Sequence, residues 1–136
     1  MPYDHEEPAS DSLASALDRC GIRMVVDQQQ LLQRYCEAVW CWNLRLNLTR
    51  HTTYDKFASR DVADSHQIAS LVARNQSMLD IGTGAGVPGV VLAILRPDLT
   101  VSVCESVAKK ARAVKAIVDN LELPVAVVHD RAERLL

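Results

Sequence analysis

The stretch Gly82-Thr83-Gly84-Ala85-Gly86-Val87-Pro88-Gly89 places four glycines in eight residues, directly after Met78-Leu79-Asp80-Ile81 and directly before the apolar run Val90 to Leu95. No other feature restricts the fold of this chain as much. Glycines concentrated between a strand-like and a helix-like segment let the backbone turn with positive φ and let a ligand approach the main chain closely. Such a loop belongs at the carboxyl edge of a parallel sheet, where the first strand ends and its crossover helix begins.

The second half of the chain has the matching rhythm. Residues 77–81 read as a short apolar strand, 88–96 as a helix, 100–104 as a strand, 106–123 as a helix opened by Ser106, and 125–128 as a third strand. Strands alternating with helices predict right-handed crossovers and a parallel sheet covered on both faces, with strand order 3-2-1. The fold class expected is therefore α/β, a Rossmann-like parallel sheet flanked by helices, of which residues 77–136 supply only the first half. If 77–81 is the first strand of a doubly wound sheet it should be central, yet no later strand exists to pair with its open side. A coding sequence that continues beyond Leu136 is expected, or self-association through that edge.

The lead segment, 11–76, reads as helical. Ser12 to Arg19 suggest a short helix ended by Gly21. A longer helix is expected after Asp27, with Asp27 and Gln30 in a capping-box arrangement. Leu32, Tyr35, Val39, Trp42 and Leu46 recur at steps of three and four and share one face. Trp40 and Trp42 read as large core residues rather than base-stacking ones. Asparagines, threonines and basic residues from 43 to 57 break the period and predict a loop followed by a weak helical segment; helical spacing resumes through Val62, Ala69 and Val72.

Composition bounds the function. A chain of 136 residues that is 49% hydrophobic and 24% charged is one small globular domain, with neither a disordered nor a fibrous composition. Residues 1–10 are acidic and predicted flexible; they lack the basic and apolar regions of a secretory signal, and the longest apolar run is far short of a membrane span, so a cytoplasmic protein is expected. Cys20, Cys36, Cys41 and Cys104 contain no C-x-x-C spacing, and reduced, mostly buried thiols are expected. His5, His51, His66 and His129 are scattered, and no metal site is readable. The net charge of −2 excludes a simple nucleic-acid-wrapping polycation. Five acidic residues against one arginine in 1–19 nevertheless leave the rest basic, with Arg45, Arg50, Lys56 and Arg60 around one loop and Lys109, Lys110, Arg112 and Lys115 on one helix.

Three ligand classes use a glycine loop of this kind. A Walker phosphate loop requires Lys-Ser/Thr at its end, which is absent. The dinucleotide pattern G-x-G-x-x-G occurs as Gly84, Gly86 and Gly89, with Glu105 at about the distance expected for a ribose contact. S-adenosylmethionine fits better, because Asp80 ahead of Gly82, Gly84 and Gly86 suits a ligand carrying an amino group and would repel a pyrophosphate. Glu105, at the end of the second strand, can accept both hydroxyls of an adenosine ribose. The plainer roles are a turn or helix cap for Asp80 and an N-terminal helix charge for Glu105.

Trp42 to Arg50, Leu79 to Gly89, Leu95 to Lys115 and Arg131-Ala132-Glu133 together resemble the RsmG (GidB) family, which methylates N7 of a guanosine in 16S ribosomal RNA using S-adenosylmethionine. The likeness runs from about Leu31 to the end, although members continue well past Glu133 and commonly carry Arg-His where this chain has Arg60-Asp61. The resemblance implies the S-adenosylmethionine-dependent methyltransferase fold, Gly82 and Val87 lining the cofactor site, Glu105 holding the ribose, and Ala132 and Glu133 flanking the adenine. It implies no catalytic side chain, since the N7 lone pair is free without deprotonation and orientation alone supplies the catalysis. RNA, or the small-subunit particle, must be held meanwhile; Asn43, Asn47, Thr49, Arg50 and Arg60 suit guanine edges and phosphates, with no DNA or membrane partner expected. The competing readings are a non-catalytic RNA-binding remnant of that family and a dinucleotide-binding oxidoreductase domain.

Overall fold

The computed structural model describes residues 8–135. The acidic stretch assigned to 1–10 falls mostly outside them. Helix α1 (Leu13–Arg19) starts where the Ser12 hydroxyl accepts the Ser15 N–H and buries Leu13, Ala16 and Leu17 at helical spacing. It ends, as expected, at Gly21, whose φ is +67°. Helix α2 (Val26–Asn43) begins two residues earlier than the capping-box reading requires. Its N-cap is Val25, which makes no side-chain cap, and Asp27 lies inside the first turn, where its charge still complements the exposed N–H groups. Leu32, Tyr35, Cys36 and Val39 are its buried stripe; Trp40, Trp42 and Leu46 pack against the core from its margin, half-buried.

After the loop, a continuous helical run opens at Thr53, whose hydroxyl caps Lys56 N–H. It comprises α3 (Tyr54–Lys56), a π-helical segment (Phe57–Val62) and α4 (Ala63–Ala69). Val72 lies beyond it. The π segment registers Phe57, Ala58 and Val62 into the core while leaving Arg60 outside. That change of period explains why the sequence pattern looked weak here.

Strands β1 (Ser77–Ile81), β2 (Thr100–Glu105) and β3 (Ala126–His129) form a parallel sheet in the order β1-β2-β3, the predicted order read from the other edge. Helix α5 (Gly89–Leu95) is apolar almost all round because it lies between the sheet and α2 and α4. Helix α6 (Ala108–Asn120) is amphipathic and turns Ala111, Ala113, Val114, Ile117 and Val118 inward. Its expected opening by Ser106 is not made. Val107 is the N-cap, and the bond at that end is from Val107 N–H to Glu105 Oε2, 3.2 Å.

Both crossovers step the same way across the sheet, so α5 and α6 lie on one face, over Met78, Val101, Val103 and Val127. The expectation of two covered faces is corrected accordingly: among the described residues the opposite face, with Leu79 and Ile81 45% and 42% exposed, carries no helix. A strand order that never reverses sends every crossover to the same side. Among the described residues β1 pairs on one edge alone, with β2, as the sequence implied. The cysteines are all free thiols, but only Cys36 and Cys104 are buried, whereas Cys20 and Cys41 are exposed. No described helix is long and apolar enough to cross a membrane.

Candidate functional site

The glycine loop lies at the carboxyl end of β1, tied to β2 by Gly82 N–H and Thr83 N–H, which both donate to the Cys104 carbonyl. Gly82, Gly84 and Gly86 have φ of +73°, +60° and +103°. Two of them differ in what surrounds them. A Cβ on Gly84 would meet nothing within 4 Å, so its open side faces space in which a ligand can lie against the main chain. A Cβ on Gly86 would stand 2.7 Å from Val90 Cγ2 and 3.2 Å from Tyr35 Oη, so that position answers to packing.

Asp80 is committed to the loop's shape. Its Oδ2 accepts Thr83 Oγ1–H at 2.7 Å and the Gly89 N–H at 2.9 Å, so one carboxylate oxygen joins the strand, the buried threonine and the first residue of α5. The capping role that was one of its two readings is therefore real. Close packing at Gly89 supports this arrangement: a Cβ there would stand 2.5 Å from Val103 and 2.9 Å from the Asp80 carboxylate.

Glu105 is buried, and its two oxygens reach opposite ways. Oε1 accepts the Gly84 N–H and Oε2 the Val107 N–H, each at 3.2 Å. The carboxylate thus bridges the middle of the glycine loop to the start of α6, with one lone pair on each oxygen still available to a diol. Beside it, a cleft of about 380 Å³ is lined by Ile81, Gly82, Cys104, Ser106 and residues 130–133. Gly82, Ala132 and Glu133 therefore meet in one cleft, the latter two on a 3₁₀ turn (Ala132–Arg134) that follows β3. Val87 does not line this cleft. It lines a small cavity on the other side of the loop, with Tyr35, Cys36, Thr49, His51, Phe57, Asp61 and Ala85.

That cavity joins the loop at 43–53 to the glycine loop. Asn43 Oδ1 accepts the N–H groups of Leu48 and Thr49 at 2.9 and 3.1 Å, and Thr49 Oγ1 accepts the His51 N–H. Asn43 and Thr49 therefore direct these oxygens at the loop's own backbone, while Asn47, Arg50 and Arg60 are exposed. Trp40 Nε1–H donates to the His51 carbonyl and its ring packs on Tyr54, with centroids 5.0 Å apart.

Sequence reasoning missed two contacts. Tyr35 Oη–H donates to the Ala85 carbonyl at 2.8 Å, bracing the glycine loop from α2; burial pushes this phenol's pKa well above its ordinary value, so it stays a donor. A phenol on the buried stripe of a helix needs a partner for its hydroxyl, which was a readable signal. The second contact, His51 Nδ1 to Asp61 Oδ1 at 2.8 Å, had none, because its partners lie ten residues apart among other polar residues. Burial raises the Asp61 pKa, and the histidine opposes that shift.

A family model described as rRNA small subunit methyltransferase G, GidB, matches residues 28–135. The chain belongs to this family. Among curated relatives, ribosomal RNA small subunit methyltransferase G of Rhodopirellula baltica is 43% identical over 122 residues, an alignment covering 90% of this chain and 53% of that protein. The protein of the same name from Anaeromyxobacter dehalogenans is 38% identical over 123 residues, covering 90% and 57%. Ribosomal RNA small subunit methyltransferase G 1 of Syntrophobacter fumaroxidans is 36% identical over 129 residues, covering 94% and 59%. The chain thus spans somewhat more than half the length of the curated relatives it matches.

Proposed function

We propose that the chain acts as an S-adenosylmethionine-dependent methyltransferase that modifies N7 of a guanosine in 16S ribosomal RNA, and that it works in the cytoplasm. The observation that carries the cofactor assignment is the bond from Gly89 N–H to Asp80 Oδ2 at 2.9 Å. A dinucleotide would need the N–H groups at the start of α5 for its pyrophosphate. Here a carboxylate of the protein already takes the first of them, and its charge favours an ammonium group instead. The residues suit the rest of the molecule: open space over Gly84 for close approach, the Glu105 oxygens for the ribose hydroxyls, and the cleft wall of Gly82, Ala132 and Glu133 for the adenine.

When bound, S-adenosylmethionine supplies a methyl group on a sulfonium, an electrophile that N7 of guanine can meet without losing a proton. Side chains therefore have to orient rather than to exchange protons, an effect worth up to roughly 7 to 11 kcal/mol in favourable cases. Asn47, Arg50 and Arg60 are exposed, and the neighbours of the two arginines, Thr49, His51 and Asp61, line the cavity that Val87 also lines, which leaves the three side chains available to guanine edges and phosphates. Methyl transfer to 16S ribosomal RNA, located by mass spectrometry of nuclease digests, tests the proposal. One guanosine gaining a methyl on N7 is the expected result. Methylation of another atom would overturn the N7 assignment, and RNA binding without any transfer would favour a non-catalytic RNA-binding role.

A further inference from the structure

Arg50 directly precedes His51, and Arg60 directly precedes Asp61. The two following residues, not the arginines, make the contact: His51 Nδ1 and Asp61 Oδ1 lie 2.8 Å apart, with the Asp61 side chain 13% exposed and the His51 side chain 36% exposed. One arginine is thereby carried on an irregular loop and the other on a π-helical segment, and the pair joins the two backbones at the residues next to both. Neighbouring Cα atoms are 3.8 Å apart, so each arginine's backbone position follows that of its partner in the pair closely.

The loop has little regular structure to hold it otherwise. Apart from the pair, His51 is fixed through its backbone, by Thr49 Oγ1 to its N–H and Trp40 Nε1–H to its carbonyl. These bonds tether the loop to itself and to α2. The His51–Asp61 bond instead ties it to the π segment, above the cavity that Ala85 and Val87 close from the glycine loop. Exposed arginines on unrelated backbones lose conformational freedom when they grip one ligand, and a preset spacing lowers that cost.

We infer that His51 and Asp61 are positioning residues for a two-arginine phosphate clamp: their pairing sets the separation of Arg50 and Arg60 so that both engage the RNA backbone beside the glycine loop. Neither residue touches the RNA. The inference rests on the RNA-binding part of the proposed function and makes a narrower claim, that the arginines act together because of this pair.

A double-mutant cycle measures that claim. Binding of a 16S ribosomal RNA transcript is compared for the unaltered chain, Asp61→Asn, Arg50→Ala, Arg60→Ala and the two combinations with Asp61→Asn. Asp61→Asn is expected to weaken binding about tenfold, and the loss caused by either arginine substitution is expected to shrink by a factor of roughly three to ten once Asp61 is replaced. Asp61→Glu, which keeps the carboxylate, should restore most of the affinity. Far-ultraviolet circular dichroism checks the fold; if Asp61→Asn does not fold, His51→Gln removes the imidazole from the other side and serves in the same cycle. Additive losses, or full affinity in both Asp61→Asn and His51→Gln, would overturn the clamp while leaving RNA binding intact. No binding by the unaltered chain would overturn the RNA-binding reading and the clamp together.

Discussion

Gly84 and Gly86 look alike in the sequence, and the structure gives them different work. Both were legible as glycines needed for positive φ, because the loop had to turn between a strand and a helix. What sits beyond each missing Cβ depends on Val90 and Tyr35, which come from other elements and could not be read from spacing. Gly84→Ala is expected to cost about 1 kcal/mol, the strain of an alanine in the left-handed region. Gly86→Ala adds overpacking against Val90 and is expected to cost about 2 to 3 kcal/mol. Urea unfolding of the two variants checks the order; equal losses would remove the distinction. Asp80 gives the same lesson from the other side, since its spacing suggested both a ligand contact and a cap, and only the folded structure displays the cap.

Among the elements, the strands and long helices were visible because their apolar periods are clean. The irregular ones were not. The π segment shifts the register of Phe57 to Val62 and erases a 3.6-residue rhythm, and the start of α6 is governed by Glu105 rather than by the nearer Ser106. The loop and π segment also carry Arg50 and Arg60. Replacing both by Ala is expected to flatten the dependence of log affinity for RNA on log salt by about 1.4, the release of two single-strand phosphate contacts. Titrations at several salt concentrations read this slope, and an unchanged slope would make the segment a solvated surface.

A second element-scale device joins α4 to the entry of β2. Arg96 donates through Nη1 to the carbonyls of Ala69 and Val72 and pairs with Asp98. The Arg96 guanidinium, and then the Asn75 N–H, hold the Asp98 carboxyl well below the usual carboxylate range. The folded state therefore binds that proton less readily than the unfolded one. The stabilisation is present above the ordinary carboxylate value and is lost as pH falls through the lower folded value. Asp98→Asn is expected to flatten the acid side of the stability profile, measured by thermal unfolding between neutral pH and about pH 2; a profile unchanged by the substitution would contradict this role.

At the scale of the whole molecule, the α/β class and the strand order were legible in the alternation of elements, but coverage of the sheet was not. Two crossovers in one direction leave Leu79 and Ile81 exposed beside the edge of β1 that no other described strand pairs. An edge and an apolar face of this kind favour pairing with another chain. The 136-residue chain is expected to self-associate as its concentration rises, and Leu79→Lys with Ile81→Lys to reduce that association without loss of helix signal. Sedimentation velocity at several concentrations decides; a native chain that stays monomeric throughout would show that the exposed face is tolerated.

The central claim is that the glycine loop and Glu105 cradle S-adenosylmethionine, and a calorimetric titration of that ligand into the native chain and into Gly84→Val tests it most directly. A valine at Gly84, on a backbone with φ of +60°, would point its Cβ into the open space over the loop, where nothing of the protein lies within 4 Å and the ligand is proposed to lie. The account predicts one S-adenosylmethionine bound per native chain and binding lost in Gly84→Val while the far-ultraviolet signal persists. Equal affinity in the two proteins, or no heat of binding in the native chain, would contradict it.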